Sequence, residues 1–273
     1  QKTAYEIRNC DWSSDVCSSD LFLLNSRIHT FQNNNNYITL QNSKPKPMNM
    51  PLYNTALLLI DMQHDFLTKG GFGHILGNDV TKLHHIIPNL QNVLNFSRNN
   101  GLEVIHTIES HDSISNTHIH RSKLIGDRAP PLGKRIGDIT TYENGTKGRI
   151  LIKDYYGCQI IPQLSPMNNE YIVNKTGKSA FYKTNLDNYL KKKNISHLII
   201  GGVTTEVCVQ TTSRDANDHG YEICVLEDGC ASYFPEYHKT TCNMISSQGG
   251  IVGWTSTTSN LTNILRRRID LCY

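Results

Sequence analysis

The chain has 273 residues, 38% of them hydrophobic, and a net charge of +3 from 27 Lys and Arg against 24 Asp and Glu. That balance is too mild to imply a nucleic-acid partner or a membrane surface, and no apolar run approaches the roughly 18–20 residues of a membrane helix. The eight cysteines (Cys10, Cys17, Cys158, Cys208, Cys224, Cys230, Cys242 and Cys272) show no CxxC pair and no dense disulfide-scaffold spacing. They are expected to be reduced thiols of a cytoplasmic protein, and all but one of them small core residues.

Residues 1–50 are expected to be disordered or extraneous, because the Asn run at 33–36 and the Lys-Pro-Lys-Pro run at 44–47 are polar and breaker-rich. Residues 6–21 resemble a translated sequencing-adapter read. One domain is expected over 51–273. Residues 56–60, ALLLI, form a continuous apolar run ending in Asp61, the pattern of a strand buried on both faces. The apolar spacing over 84–98 predicts a helix stopped by Gly101, and 102–107 a second strand. From about 109 to 170 the pattern is weak, so a functional excursion with short elements of its own is expected.

Residues 171–174 predict a third strand that delivers Lys175, and Thr184 with Asp187 marks the start of a helix running to about 193. A strand over 197–203 leads through Gly201-Gly202-Val203-Thr204-Thr205 into a helix over about 206–219, with Gly220 as its stop. A strand at 222–226, a helix at 236–247, a short strand at 251–254 and a helix near 260–268 complete the chain. Strands alternating with helices predict an α/β fold with a mostly parallel sheet flanked by helices.

In such sheets functional groups collect beyond the carboxyl ends of the strands. Asp61, Lys175 and Cys208 all fall there, after the first, third and fourth strands. Singly, each has an ordinary explanation: a helix cap, a solvated lysine, a packed thiol. Together they suit nucleophilic catalysis. An unperturbed thiol has a pKa near ~8.5, so only roughly 3% is thiolate at neutral pH. A helix N-terminus and a neighbouring Lys175 are both expected to lower it. Asp61, paired with Lys175, would accept the thiol proton and hand it to a leaving amine.

Three motifs, ALLLIDMQHDF at 56–66, VNKTGKSAF at 173–181 and IIGGVTTEVCVQTT at 199–212, resemble the isochorismatase-like cysteine hydrolases. Glu109-Ser110-His111 and the 214–222 segment RDANDHGYE resemble the biuret hydrolase and ureidoacrylate amidohydrolase branch. The resemblance spans about 54–262. It implies a three-layer α/β sandwich, Cys208 as nucleophile, Asp61 as acid/base and Lys175 as the third member. It also implies a cis peptide between Val203 and Thr204, oxyanion donors from the backbone N–H of Thr204 and Cys208, and a homo-tetramer or dimer.

The implied substrate is a small ureido or carboxamide compound, biuret-like, and Gln248 is implied to hold its amide edge. Phe181 is assigned either to the pocket lining or to ordinary core, and Lys178 either to a substrate carboxylate or to water. No cofactor is expected. Glu109 and His111 occupy the place where nicotinamidases of this family bind a metal, but the surrounding nicotinamidase residues are missing, so no metal is expected. The alternatives are a ureidoacrylate or other carbamoyl amidase, a metal-assisted nicotinamidase-like enzyme, and a catalytically silent binding protein on the same fold.

Overall fold

Six apolar runs form one parallel sheet in the order β10-β9-β8-β3-β4-β7. They are β3 (Thr55–Ile60), β4 (Glu103–Glu109), β7 (Tyr171–Lys175), β8 (His197–Val203), β9 (Glu222–Ala231) and β10 (Trp254–Ser256). The computed structural model describes residues 37–112 and 133–263. Central β3 is buried along its whole length, which explains its unbroken TALLLI sequence. Its side chains alternate between two cores: Leu57 and Leu59 join one cluster, Ala56, Leu58 and Ile60 the other. Strand β8 does the same with Ile199 and Val203 on one side and Leu198 and Ile200 on the other. This period of two makes the sheet the middle of three layers.

The helices are α1 (His64–Leu67), α2 (Phe72–Ile75), α3 (Ile87–Asn99), α4 (Leu186–Lys192), α5 (Gln210–Asp218), α6 (Pro235–Ser246) and α7 (Thr258–Thr262). None of the helices of the described residues is long and apolar enough to cross a membrane. Chain order puts β4 and β7 on one side of β3, then returns β8 to its other side. That reversal opens a crevice beyond the carboxyl ends of the central strands, where side chains of α/β sheets converge.

Three expectations change. Residues 37–50 belong to the fold: β1 (Tyr37–Leu40) and β2 (Met48–Pro51) pair as an antiparallel hairpin. Ile38, Leu40, Met48 and Met50 are buried in the first core cluster. The breaker-rich 44–47 run is the connection between these strands. There Lys44 exchanges backbone hydrogen bonds of 2.9 and 3.0 Å with Thr255, and the Lys44–Pro45 peptide is cis. The remainder of 1–50 lies outside the described residues.

The last strand is Trp254–Ser256 and not 251–254, because the register of β9 sets Trp254 beside Cys224. Strand β9 runs past the expected end at 226 to Ala231. Its second half pairs with Gly202 and Val203 after a register shift. Within the 109–170 excursion the described residues contain the hairpin β5 (Ile139–Thr141) and β6 (Lys147–Arg149) and two short 3-10 turns. Cys158, Cys208, Cys224, Cys230 and Cys242 are all free and buried; Cys10, Cys17 and Cys272 lie outside the described residues, as do residues 264–268.

Candidate active site

Four strand ends build the site. Asp61 follows β3 with a φ of 50°, a left-handed conformation uncommon for a residue with a side chain. Thr107 of β4 holds it there: its hydroxyl donates to Asp61 Oδ1 at 2.5 Å and accepts from the Asp61 backbone N–H at 3.1 Å. Glu109 and Lys175 end β4 and β7 in register with each other. Gln63 fixes the β4 end as a neighbouring strand would. Its amide donates to the Glu109 carbonyl at 3.0 Å and accepts from the Glu109 N–H at 2.8 Å.

After β8, Gly202 has a φ of 124°, and a Cβ there would sit 2.1 Å from the Ile60 carbonyl oxygen. Only glycine permits that approach of β8 to β3. The Val203–Thr204 peptide is cis. Cys208 then lies in a π-helical turn, Thr205–Val209, which runs into α5.

Lys175 Nζ lies 2.7 Å from Asp61 Oδ2, 3.6 Å from Cys208 Sγ and 3.7 Å from Glu109 Oε2. It also donates to the Gly177 carbonyl at 3.1 Å. Lys178 closes the cluster with contacts of 2.7 and 3.0 Å to the two oxygens of Glu109. The Cys208 thiol reaches Glu109 Oε2 at 3.9 Å. Oxygens of Asp61 and Glu109 and the Cys208 sulfur all lie within 4.8 Å of one another. Asp61, Glu109, Lys175 and Cys208 are buried, and the Lys178 side chain is 27% exposed.

The electrostatics differ from the expectation of a lowered thiol pKa. Burial pushes Cys208 up, Lys175 pulls it down, and Asp61 and Glu109 push it up again; the result lies well above the ordinary thiol value. Lys175 and the more distant Lys178 do not offset burial beside two carboxylates. Burial alone would lower Lys175, but the charges of Asp61, Cys208 and Glu109 raise it above the ordinary lysine value, so it stays an ammonium. Burial also works against ionised Glu109, yet Lys178 and Lys175 outweigh it and hold the carboxyl at about 2. Glu109 is therefore a fixed anion and a poor proton acceptor.

The donors do not fit a divalent cation. The ammonium of Lys175 already lies between Asp61, Glu109 and Cys208, and both Glu109 oxygens face Lys178. His111 is buried with its Nε2 3.6 Å from Glu109 Oε1, and neither ring nitrogen has a hydrogen-bond partner.

The other expected residues fall as follows. Phe181 is buried in the same apolar cluster as Cys208, stacked on His219 with ring centroids 5.0 Å apart. Lys178 is paired with both oxygens of Glu109. Gln248 is exposed after α6 with a φ of 50°. It takes no part in the Asp61–Glu109–Lys175–Lys178–Cys208 network. Sequence reasoning missed Thr107 and Gln63, buried polar side chains near the end of β4 and just after β3.

A buried thiol beside an ammonium and two carboxylates, at a strand-to-helix turn of a parallel sheet, places the chain among α/β proteins whose reactive groups collect beyond the strands' carboxyl ends. Residues 55–257 match the model of the Isochorismatase domain, and the chain belongs to that family. It is 27% identical to the ureidoacrylate amidohydrolase RutB of Yersinia enterocolitica over 227 residues, 82% of this chain and 94% of that protein. The RutB of Acinetobacter baylyi is 26% identical, covering 84% and 91%. An isochorismatase-like hydrolase from Alkaliphilus metalliredigens superposes with a TM-score of 0.58 at 27% identity, over 78% of this chain and 97% of that one.

Proposed function

We propose that this protein is a cysteine-dependent amidohydrolase that cleaves a C–N bond of a small ureido or carboxamide substrate, biuret-like, through a thioester. The family and the amidohydrolase names of its relatives support the reaction class. The observation that carries the mechanism is Lys175 within 2.7 Å of Asp61 and 3.6 Å of Cys208, with all three side chains buried.

The thiol proton passes to Asp61 as the sulfur bonds to the carbonyl carbon. That transfer moves one negative charge from Asp61 to the substrate oxygen and leaves the net charge of site and substrate together unchanged, so burial opposes it less than it would a free thiolate. Lys175 stabilises whichever of Asp61 and Cys208 is the anion. The backbone N–H groups of Thr204 and Cys208 would receive the oxyanion. The C–N bond then breaks, the nitrogen takes the proton from Asp61, and ammonia or an amine leaves. Water adds to the thioester and gives a proton to Asp61; the C–S bond then breaks, the sulfur takes that proton back as the thiol, and the acid leaves. An ammonia-release screen over biuret, ureidoacrylate, carbamoylsarcosine and nicotinamide, with Cys208→Ser as control, tests this. Retention of more than about a few per cent of turnover by the variant would refute the nucleophile, since removing a nucleophile costs orders of magnitude.

A further inference from the structure

The catalytic scheme uses Asp61, Lys175 and Cys208 and leaves Glu109 without a task. A buried, ionised carboxylate beside the nucleophile is costly to keep. Its surroundings show what it lacks. Oε1 takes the Lys178 ammonium at 2.7 Å. Oε2 accepts from Lys178 at 3.0 Å and from the Cys208 S–H in a long sulfur hydrogen bond of 3.9 Å, while Lys175 at 3.7 Å is outside ordinary N–H···O range. A carboxylate has about four acceptor positions, so Oε2 has an acceptor position left for a further donor. The need grows during turnover, because the S–H is lost once Cys208 ionises or is acylated.

Asp61 and Glu109 thus both lie beside the sulfur, with an oxygen of each and the sulfur all within 4.8 Å of one another. A carbonyl carbon attacked by that sulfur has two substituents besides its oxygen. One is the leaving nitrogen, which the scheme gives to Asp61. We propose that Glu109 is a specificity-determining residue that accepts a hydrogen bond from an N–H on the other side of the scissile carbonyl. The site would then select N–C(=O)–N compounds over carboxamides in which that position is carbon. This rests on the amidohydrolase reading above and assigns Glu109 a role in it. A carbon substituent would leave Oε2 facing an apolar group, and sites built to bond an N–H reject analogues lacking it far more strongly than apolar pockets reject size variants.

Biuret and malonamide form a matched pair, since they differ only by NH against CH2 between two identical carbamoyl ends. The experiment measures kcat/KM for ammonia release from each, in the wild type, Glu109→Gln, Glu109→Asp and Cys208→Ser. The wild-type ratio of biuret to malonamide is expected to fall at least tenfold in Glu109→Gln, which keeps the shape and loses the charge. Glu109→Asp, which keeps the charge, should give an intermediate ratio and covers the case in which Glu109→Gln does not fold. A merely structural role would depress both substrates together. A ratio changed less than tenfold in Glu109→Gln, or less in it than in Glu109→Asp, overturns the assignment while leaving the amidohydrolase standing. Should the wild type release no ammonia from any amide of the wider screen, the amidohydrolase reading falls and this inference with it.

Discussion

Replacing Lys175 by methionine removes one charge and little volume, and it tests the electrostatic account of the site. In the wild type this ammonium lies 2.7 Å from Asp61 and 3.7 Å from Glu109. Without it, two carboxylates with oxygens within 4.8 Å of each other face a dry pocket. At an effective dielectric of about 20 their mutual repulsion is roughly 3.5 kcal/mol. Breaking a buried pair by removing one partner costs about 3–5 kcal/mol, so Lys175→Met should lose that much stability near pH 8. Proton uptake relieves it. Wild-type Glu109, held at about 2, contributes stability that is present above its unfolded value of 4.5 and lost only as pH falls toward 2. In the variant a carboxyl raised above its unfolded value contributes stability that is lost as pH rises through the folded value. The gap between the two proteins must therefore be widest at pH 8 and narrow toward pH 5. Urea denaturation followed by far-ultraviolet dichroism at both pH values measures it. A loss below about 1 kcal/mol at pH 8, or a gap that widens on acidification, would refute the reasoning.

Two further outcomes follow from burial. Met50 of the β1–β2 hairpin is 0% exposed, and Met50→Ala should cost about 2–5 kcal/mol in urea denaturation; a loss near zero would place the hairpin outside the core. Asp65 is buried, accepting from Tyr142 at 2.9 Å and from the backbone N–H of Leu151 at 2.8 Å, and burial raises its pKa from 3.8 to about 6 against those bonds. Its folded form holds the proton more tightly, so stability should fall by roughly 3 kcal/mol as pH rises from 3.8 to 6, at about 1.4 kcal/mol per pKa unit. Asp65→Asn should remove that decline, and an unchanged pH slope between wild type and variant would refute it.

What was legible in the sequence was whatever a single strand or turn dictates. An unbroken apolar run ending in Asp61 marks a central strand, and Gly201-Gly202 marks the passage from a strand into the helix that carries Cys208. What escaped depends on pairs far apart in the chain. Lys178 meets Glu109 across 69 positions, so its spacing from Lys175 could not show that it was already paired. The hairpin at 37–51 was hidden because composition over its turn outweighed the short alternation in YITL and MNMP. Gln248 was carried by resemblance alone, and the chain after α6 leaves it exposed.

The thiol shows why motif and environment must be read together. By position alone, Cys208 near a helix start should ionise easily. In the folded protein, burial and two carboxylates raise its pKa well above the ordinary thiol value, so on the proposed scheme the sulfur becomes an anion only as Asp61 takes its proton. A permanent anion at Cys208 would add a third negative charge to two cations, whereas the thiol leaves the five groups balanced. Glu109, fixed as an anion by Lys178 and Lys175, cannot take the proton without losing both interactions. Asp61 Oδ2 meets Lys175 and has no hydrogen-bond partner besides that ion pair. On the proposed scheme the two carboxylates separate into one that moves a proton, Asp61, and one that stays charged, Glu109, which holds Lys178 as well as Lys175.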